Sequence, residues 1–165
     1  MAAPRALCRS RRSLRGVTIV ELLIVLLIVA VLSVAAGPSL ASALVAQRLR
    51  AAGTDLVSTL LLARSEAIKR NANVTIRPAA GDNWATGWVT TLADGEAIDQ
   101  RSAPGSRVRV SVSPAAIVYA PSGRLDGGGR ARVEFVDAER QPGVAPRCVT
   151  VDTAGLPRLD AQACS

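Results

Sequence analysis

The sequence predicts an α+β chain, with one long N-terminal α-helix laid on a mostly antiparallel β-sheet domain. Three observations predict it. An almost unbroken apolar run extends from Val17 to Ala36. Beyond it, apolar residues recur at helical spacing as far as Ala67. From Asn73 onward the pattern changes to short alternating runs separated by Gly, Pro, Asn and Asp. Apolar residues recurring every three or four positions mark one face of a helix, whereas strict alternation marks a half-buried strand.

Before the apolar run stand Arg5, Arg9, Arg11, Arg12 and Arg15, and no acid. Positive charge next to an apolar span is a topology signal, because it is retained on the cytoplasmic side of a membrane. The formal net charge of the chain is +7, but most of that excess lies in this segment. The remainder is close to neutral, so the basic balance is not by itself evidence for a nucleic-acid partner. Within the apolar run sits one carboxylate, Glu21. A charge near the bilayer centre costs about 2.5–3.5 kcal/mol on the lenient insertion scale, which makes Glu21 a functional candidate that needs a partner. Cleavage after Gly16 would create one, the α-amino group of Val17. One helical turn separates residues 17 and 21, so the amine and the carboxylate share a face.

The second half of the helix is predicted from Val45, Leu49, Ala52, Leu56, Leu60, Ala63 and Ala67, which step by fours and threes into one apolar stripe. Core packing on a sheet is the expectation for that stripe. Lys69 and Arg70 occupy the last turn, where cations suit the helix dipole, and Asn71 is the expected C-cap. Pro38 removes one backbone donor and is expected to kink or loosen the helix between its halves.

Strands are predicted at Val74–Arg77, Trp88–Leu92, Ala97–Ile98, Arg107–Val112, Ile117–Tyr119, Ala131–Val136, Cys148–Val151 and Pro157–Leu159. Asp94-Gly95 is a hairpin signal. Breakers at Gly81-Asp82-Asn83, Pro121-Ser122-Gly123 and Pro142-Gly143 separate the runs, and Gly127–Gly129 reads as a loose hairpin loop. Trp84 and Trp88 are expected to fill the core. Cys8 lies in the basic segment, which leaves Cys148 and Cys164 as an even pair. In an oxidising compartment they are expected to form a disulfide, worth about 3 kcal/mol for a loop of ~15 residues. Two cysteines and no histidine exclude a four-ligand zinc site. The same lack of histidine removes imidazole-based triads. There is no Walker-type or Gly-x-Ser-x-Gly motif. No enzyme activity, metal or cofactor is expected.

The residues Arg15-Gly16-Val17-Thr18-Ile19-Val20-Glu21-Leu22-Leu23 resemble the class III leader junction of type IV pilins and type II secretion pseudopilins. The resemblance implies that a prepilin peptidase cuts between Gly16 and Val17 and N-methylates Val17, where the family usually has Phe. It also implies that Pro38 matches the family's proline twenty-two residues after the cut. Ala63-Arg64-Ser65-Glu66-Ala67, Trp84 with Gly87-Trp88, Ser122-Gly123-Arg124 and Cys148-Val149-Thr150-Val151 with Ala154-Gly155 resemble the FimT/GspH type of minor pilin and pseudopilin. The implied organisation is a leader over residues 1–16, a transmembrane or fibre-core helix half over 17–37, an amphipathic half over 38–71 and a β-rich pilin-like domain over 72–165.

The implied function is that of a minor subunit of a type IV pilus-type fibre, acting in pilus biogenesis or initiation. The precursor would sit in the inner membrane as a single-pass protein, its C-terminal domain in the periplasm. Glu21 would neutralise a neighbour's N-terminus in the fibre, and other pilin or pseudopilin subunits would be its partners. A GspH-like pseudopilin of type II secretion is one alternative. Another follows from FimT-type members, which are associated with binding double-stranded DNA in natural transformation through a Gly-Arg-x-Arg motif. Here the corresponding residues are Gly155-Leu156-Pro157-Arg158, so only Arg158 carries over; Arg107, Arg109, Arg124, Arg130 and Arg132 are further candidates. A secretory signal peptide cut after Ala43 and a plain uncut anchor are rival readings of the N-terminus. Glu21 and the helical stripe beyond Ala43 weigh against both.

Overall fold

The structure is a computed structural model that describes residues 17–165, apart from the side chains of residues 34–39. Gly16, Cys8 and the arginines before them lie outside the described residues. The chain divides into two compact units, Met1–Pro38 and Ser39–Ser165. Helix α1 runs from Ile19 to Arg70.

In the first unit the helix begins at a defined cap. The Leu22 amide donates to the Thr18 carbonyl at 3.1 Å, and the Glu21 amide donates to Thr18 Oγ1 at 3.2 Å. Thr18 is therefore the N-cap and Glu21 the third helical residue, the spacing of a capping box. Every described side chain from Val17 to Ser33 is exposed. Among the described residues, no helix is long and apolar enough to cross a membrane; the run expected to span one continues into residues 34–36, whose side chains are outside the description.

In the second unit the whole predicted stripe is buried, from Val45 at 3% exposure to Leu49, Leu56, Leu60, Ala63 and Ala67 at 0%. The helix closes in a Schellman arrangement. Asn71 adopts φ 51°, its amide bonds the Ile68 carbonyl, and the Ala72 amide bonds the Ala67 carbonyl. This satisfies two carbonyls that the helix end would leave open.

Eight strands follow: β1 (Val74–Pro78), β2 (Gly87–Leu92), β3 (Ala97–Ser102), β4 (Val108–Ser113), β5 (Ile117–Tyr119), β6 (Ala131–Asp137), β7 (Arg147–Val151) and β8 (Pro157–Asp160). They form two antiparallel sheets, ordered β3-β2-β1-β5 and β4-β6-β7-β8. The Gly127–Gly129 hairpin expectation is corrected here, because β5 and β6 belong to different sheets. The tight reversal instead lies at Pro121-Ser122-Gly123, where the Gly123 amide bonds the Ala120 carbonyl and Leu125 bridges back to Tyr119. A 3-10 turn at Asp126–Gly128 then carries the chain to the second sheet. Its glycines at φ 76° and 69° supply left-handed backbone that other residues resist.

One core joins the helix to both sheets. Trp88 on β2 meets Phe135 on β6 edge-to-face at 6.4 Å between centroids, within the favoured range for aromatic pairs. Gly53 of α1 lies under Leu159 of β8 and leaves room for it. Both tryptophans fill the core, and each indole N–H is satisfied: Trp84 by the Ala115 carbonyl and Trp88 by Thr59 Oγ1, each at 3.1 Å. Thr59 in turn donates to Asp99 Oδ2, which also accepts from Arg101. This relay ties α1 to β2 and β3.

Candidate functional site

At the N-terminal junction, Val17 and Thr18 precede the helix and Ile19 opens it. Val17 is 72% exposed. The Glu21 carboxylate has no ion-pair partner among the described residues, and the bond to Thr18 uses its backbone amide rather than its side chain. The free carboxylate sits one turn from the residue that cleavage would make N-terminal. Sequence reading found Glu21 but missed Thr18, although the Thr-x-x-Glu spacing of a capping box is the signal that reveals it.

A second constellation gathers residues that lie far apart in the chain. Arg64 Nε donates to the Gly123 carbonyl at 2.9 Å. The buried Tyr119 hydroxyl donates to the Gly155 carbonyl at 3.1 Å, and burial pushes its phenol well above the usual range. Gly155, at φ 80°, leaves no room for a Cβ, which would run into the Gly123 carbonyl oxygen. Arg64, Ser122-Gly123-Arg124 and Ala154-Gly155, read in the sequence as separate motif fragments, thus hold the helix, the β5 reversal and the β7–β8 turn together. Their chemistry is structural.

The candidate nucleic-acid arginines are distributed unevenly. On the outer face of the second sheet, Ser113, Arg132, Thr150 and Arg158 stand opposite one another in a row across β4, β6, β7 and β8. Strands lie about 4.8 Å apart, so Arg132 and Arg158 flank the Thr150 hydroxyl at roughly 10 Å. Arg130 joins them in a groove of about 580 Å³, whose rim also includes Asp152, Asp160, Leu156 and Ser165. None of these three arginines has an ion-pair partner among the described residues.

The other candidates are placed differently. Arg109 is exposed on the same face but is separated from the groove by the row containing Glu134, Cys148 and Asp160. Arg124 is exposed at the β5 reversal and does not line the groove. Arg107 is held by Asp137 at 3.4 Å and Glu139 at 2.8 Å. Asp137 is buried and organises the turn after β6. The Gln141 amide, the Glu139 amide and Arg107 all donate to it, and they hold its carboxyl below the ordinary value.

The Cys148–Cys164 disulfide is formed, with Cα atoms 5.2 Å apart. Cys148 belongs to the outward row, yet it is only 2% exposed. The segment that follows β8 folds back over it, and the Cys164 amide donates to Glu134 Oε1 at 3.1 Å. The Glu134 contact was not legible in the sequence, because nothing local links residues 134 and 164.

Residues 52–155 match the family model of type II transport protein GspH, and residues 11–37 match that of the prokaryotic N-terminal methylation motif. The fold is similar to that of the type IV minor pilin FimU of Pseudomonas aeruginosa. That likeness has 18% identity and a TM-score of 0.58, covering 71% of this chain and 90% of that one. It is also similar to the minor pseudopilin EpsH from the type 2 secretion system of Vibrio cholerae, with 16% identity and a TM-score of 0.55, covering 69% and 97%. No curated protein sequence matches the chain.

Proposed function

The chain belongs to the type II transport protein GspH family, and on that premise we propose that it is cut between Gly16 and Val17, N-methylated at Val17 and assembled as a minor subunit of a type IV pilus-type fibre. It is a type IV pilin-like minor pilin or pseudopilin, as its two family matches and its fold agree. The observation that carries the finer reading is the junction itself. A methylation motif spans residues 11–37, and in the described part of it the helix starts two residues after the proposed cut, capped by Thr18. An inner-membrane precursor with its β domain in the periplasm follows from the basic segment before the apolar run. The exposed apolar surface from Val17 to Ser33 then passes from lipid to the packed helices of a fibre.

Intact mass and N-terminal sequencing of the protein recovered from membranes test this reading. A start at N-methylated Val17 is expected. A start at Leu44 marks an ordinary secreted domain and overturns it. The GspH family match favours a type II secretion pseudopilus as the second reading of the host fibre. Deleting the chain separates the two, since one predicts loss of pili and the other loss of exported protein.

The arginine groove supports a DNA-contacting role within the same fibre. Phosphate binding depends on cations and on salt, and Arg130, Arg132 and Arg158, none ion-paired among the described residues, share one recess with Asp152 and Asp160. Mobility shift of a duplex at two salt concentrations tests it. Binding that weakens with salt and with Arg158→Ala is expected; no binding at low salt removes this role.

A further inference from the structure

The groove has a wall that is not part of its sheet. Ser165 lines it beside Arg130, Arg132 and Arg158, and the adjacent Cys164 is bonded to Cys148, the second residue of β7. The same return segment acts on charge. Glu134 projects from β6 on the same face as Arg132, two residues away, and both line a smaller recess of about 160 Å³ with Cys164. Of the acids near Arg132, Asp152 accepts the Leu156 amide and Asp160 lines the groove, while Glu134 shares the strand face of Arg132, yet Glu134 and Arg132 form no ion pair. Its Oε1 instead accepts the Cys164 amide.

We infer that the Cys148–Cys164 bridge is the latch of an anion-binding groove: by pinning residues 161–165 it supplies one wall and keeps Glu134 engaged, leaving Arg130, Arg132 and Arg158 open to a phosphate-bearing ligand. This rests on the anion-contacting reading of the groove given above. Reduction by a dithiol breaks the S–S bond, yields two thiols and leaves the reductant as a disulfide. The freed segment no longer presents its amide to Glu134, and the carboxylate turns to Arg132. Anion affinity therefore falls on reduction, by about tenfold if one charge-assisted contact is lost.

The test uses the full chain in neutral detergent, with a fluorescent duplex oligonucleotide as probe and inorganic triphosphate as competitor. The basic N-terminal segment is common to every variant and contributes a constant background. Four samples are compared: oxidised, reduced, oxidised Glu134→Gln and reduced Glu134→Gln. Circular dichroism checks the fold of each.

The inference expects tight binding when oxidised, weaker binding when reduced, little effect of Glu134→Gln when oxidised and recovery by that substitution when reduced. If the oxidised protein does not bind, or binds equally after Arg132→Ala and Arg158→Ala, the groove reading itself fails and the latch with it. If arginine-dependent binding is the same oxidised and reduced, the groove stands and the latch is wrong. If Glu134→Gln tightens binding equally in both states, Glu134 is not sequestered by the bridge and the inference is overturned. Competition by triphosphate identifies a site for phosphate groups themselves. A lack of competition with binding retained identifies a site that needs the extended phosphodiester backbone.

Discussion

Gly155 carries more of this fold than its size suggests. Its backbone sits at φ 80°, with the Gly123 carbonyl where a Cβ would be and Tyr119 bonded to its own carbonyl. Gly155→Ala adds a left-handed backbone penalty and a clash with backbone that cannot swing aside, so it should cost about 3 kcal/mol in urea denaturation. A change below about 0.5 kcal/mol would show that the β7–β8 turn moves freely away from Gly123. Asp137 makes a different kind of contribution. Its carboxyl is held low by the Gln141 and Glu139 amides and by Arg107. A depressed folded-state value means that the stabilisation is present above the ordinary value of 3.8 and is lost as pH falls through the lower folded one. Melting temperature should therefore drop as pH falls below the ordinary value of 3.8, and Asp137→Asn should lower it near neutrality while flattening that slope. An unchanged acid limb in Asp137→Asn would mean that other carboxylates govern acid unfolding.

Among the elements, α1 depends on a polar relay as well as on its apolar stripe. Thr59 is completely buried, accepts from Trp88 and donates to Asp99. Thr59→Val keeps the volume but leaves the Trp88 N–H without its partner, which should cost about 2 kcal/mol and shift the tryptophan emission. If stability is unchanged, the relay is dispensable and the stripe alone holds the helix. The stripe was legible in the sequence because burial on one helical face imposes its spacing at every turn. Each strand was legible for a similar reason; β5 kept its expected bounds, while the others moved by a residue or more and β3 reached Ser102. Partition into two sheets was not legible. Alternation shows that Ile117–Tyr119 and Ala131–Asp137 are strands, but it does not say that they pair with β1 and with β4 and β7. The Gly127–Gly129 run therefore looked like a hairpin when it carries a crossover. Long-range charge pairing escaped for the same reason: Arg107 shares a sequence pattern with Arg109, and only the fold brings Asp137 to it. Arg132 and Arg158 meet in one row through β7, which neither residue's own neighbourhood reveals.

For the molecule as a whole, the residue proposed for assembly and the buried core fall in different units. All the buried apolar side chains of the described core lie between Val45 and Val151, whereas Glu21 and its Thr18 cap lie in the first unit. Loss of Glu21 therefore leaves the core intact, and its effect belongs to whatever surrounds the N-terminal helix. On the proposed assembly, an unpaired carboxylate in lipid would cost a few kcal/mol and a neighbour's N-terminal amine in a fibre would offset that cost, so the same charge would favour extraction of the subunit. Glu21→Ala should fold normally, with an unchanged melting temperature of the β domain, and should still be cut and methylated, yet fail to enter fibres. Glu21→Gln separates the two roles the residue can have at its position. Glutamine keeps the capping-box geometry with Thr18 but not the charge, so it too should be excluded from fibres if the amine is the partner. Incorporation of Glu21→Gln at the normal level, with Glu21→Ala still excluded, would assign the residue to capping the helix start instead. Normal incorporation of both would remove Glu21 from assembly altogether. Fibre fractions probed for this subunit, alongside mass measurement of the membrane-held pool, read all three outcomes.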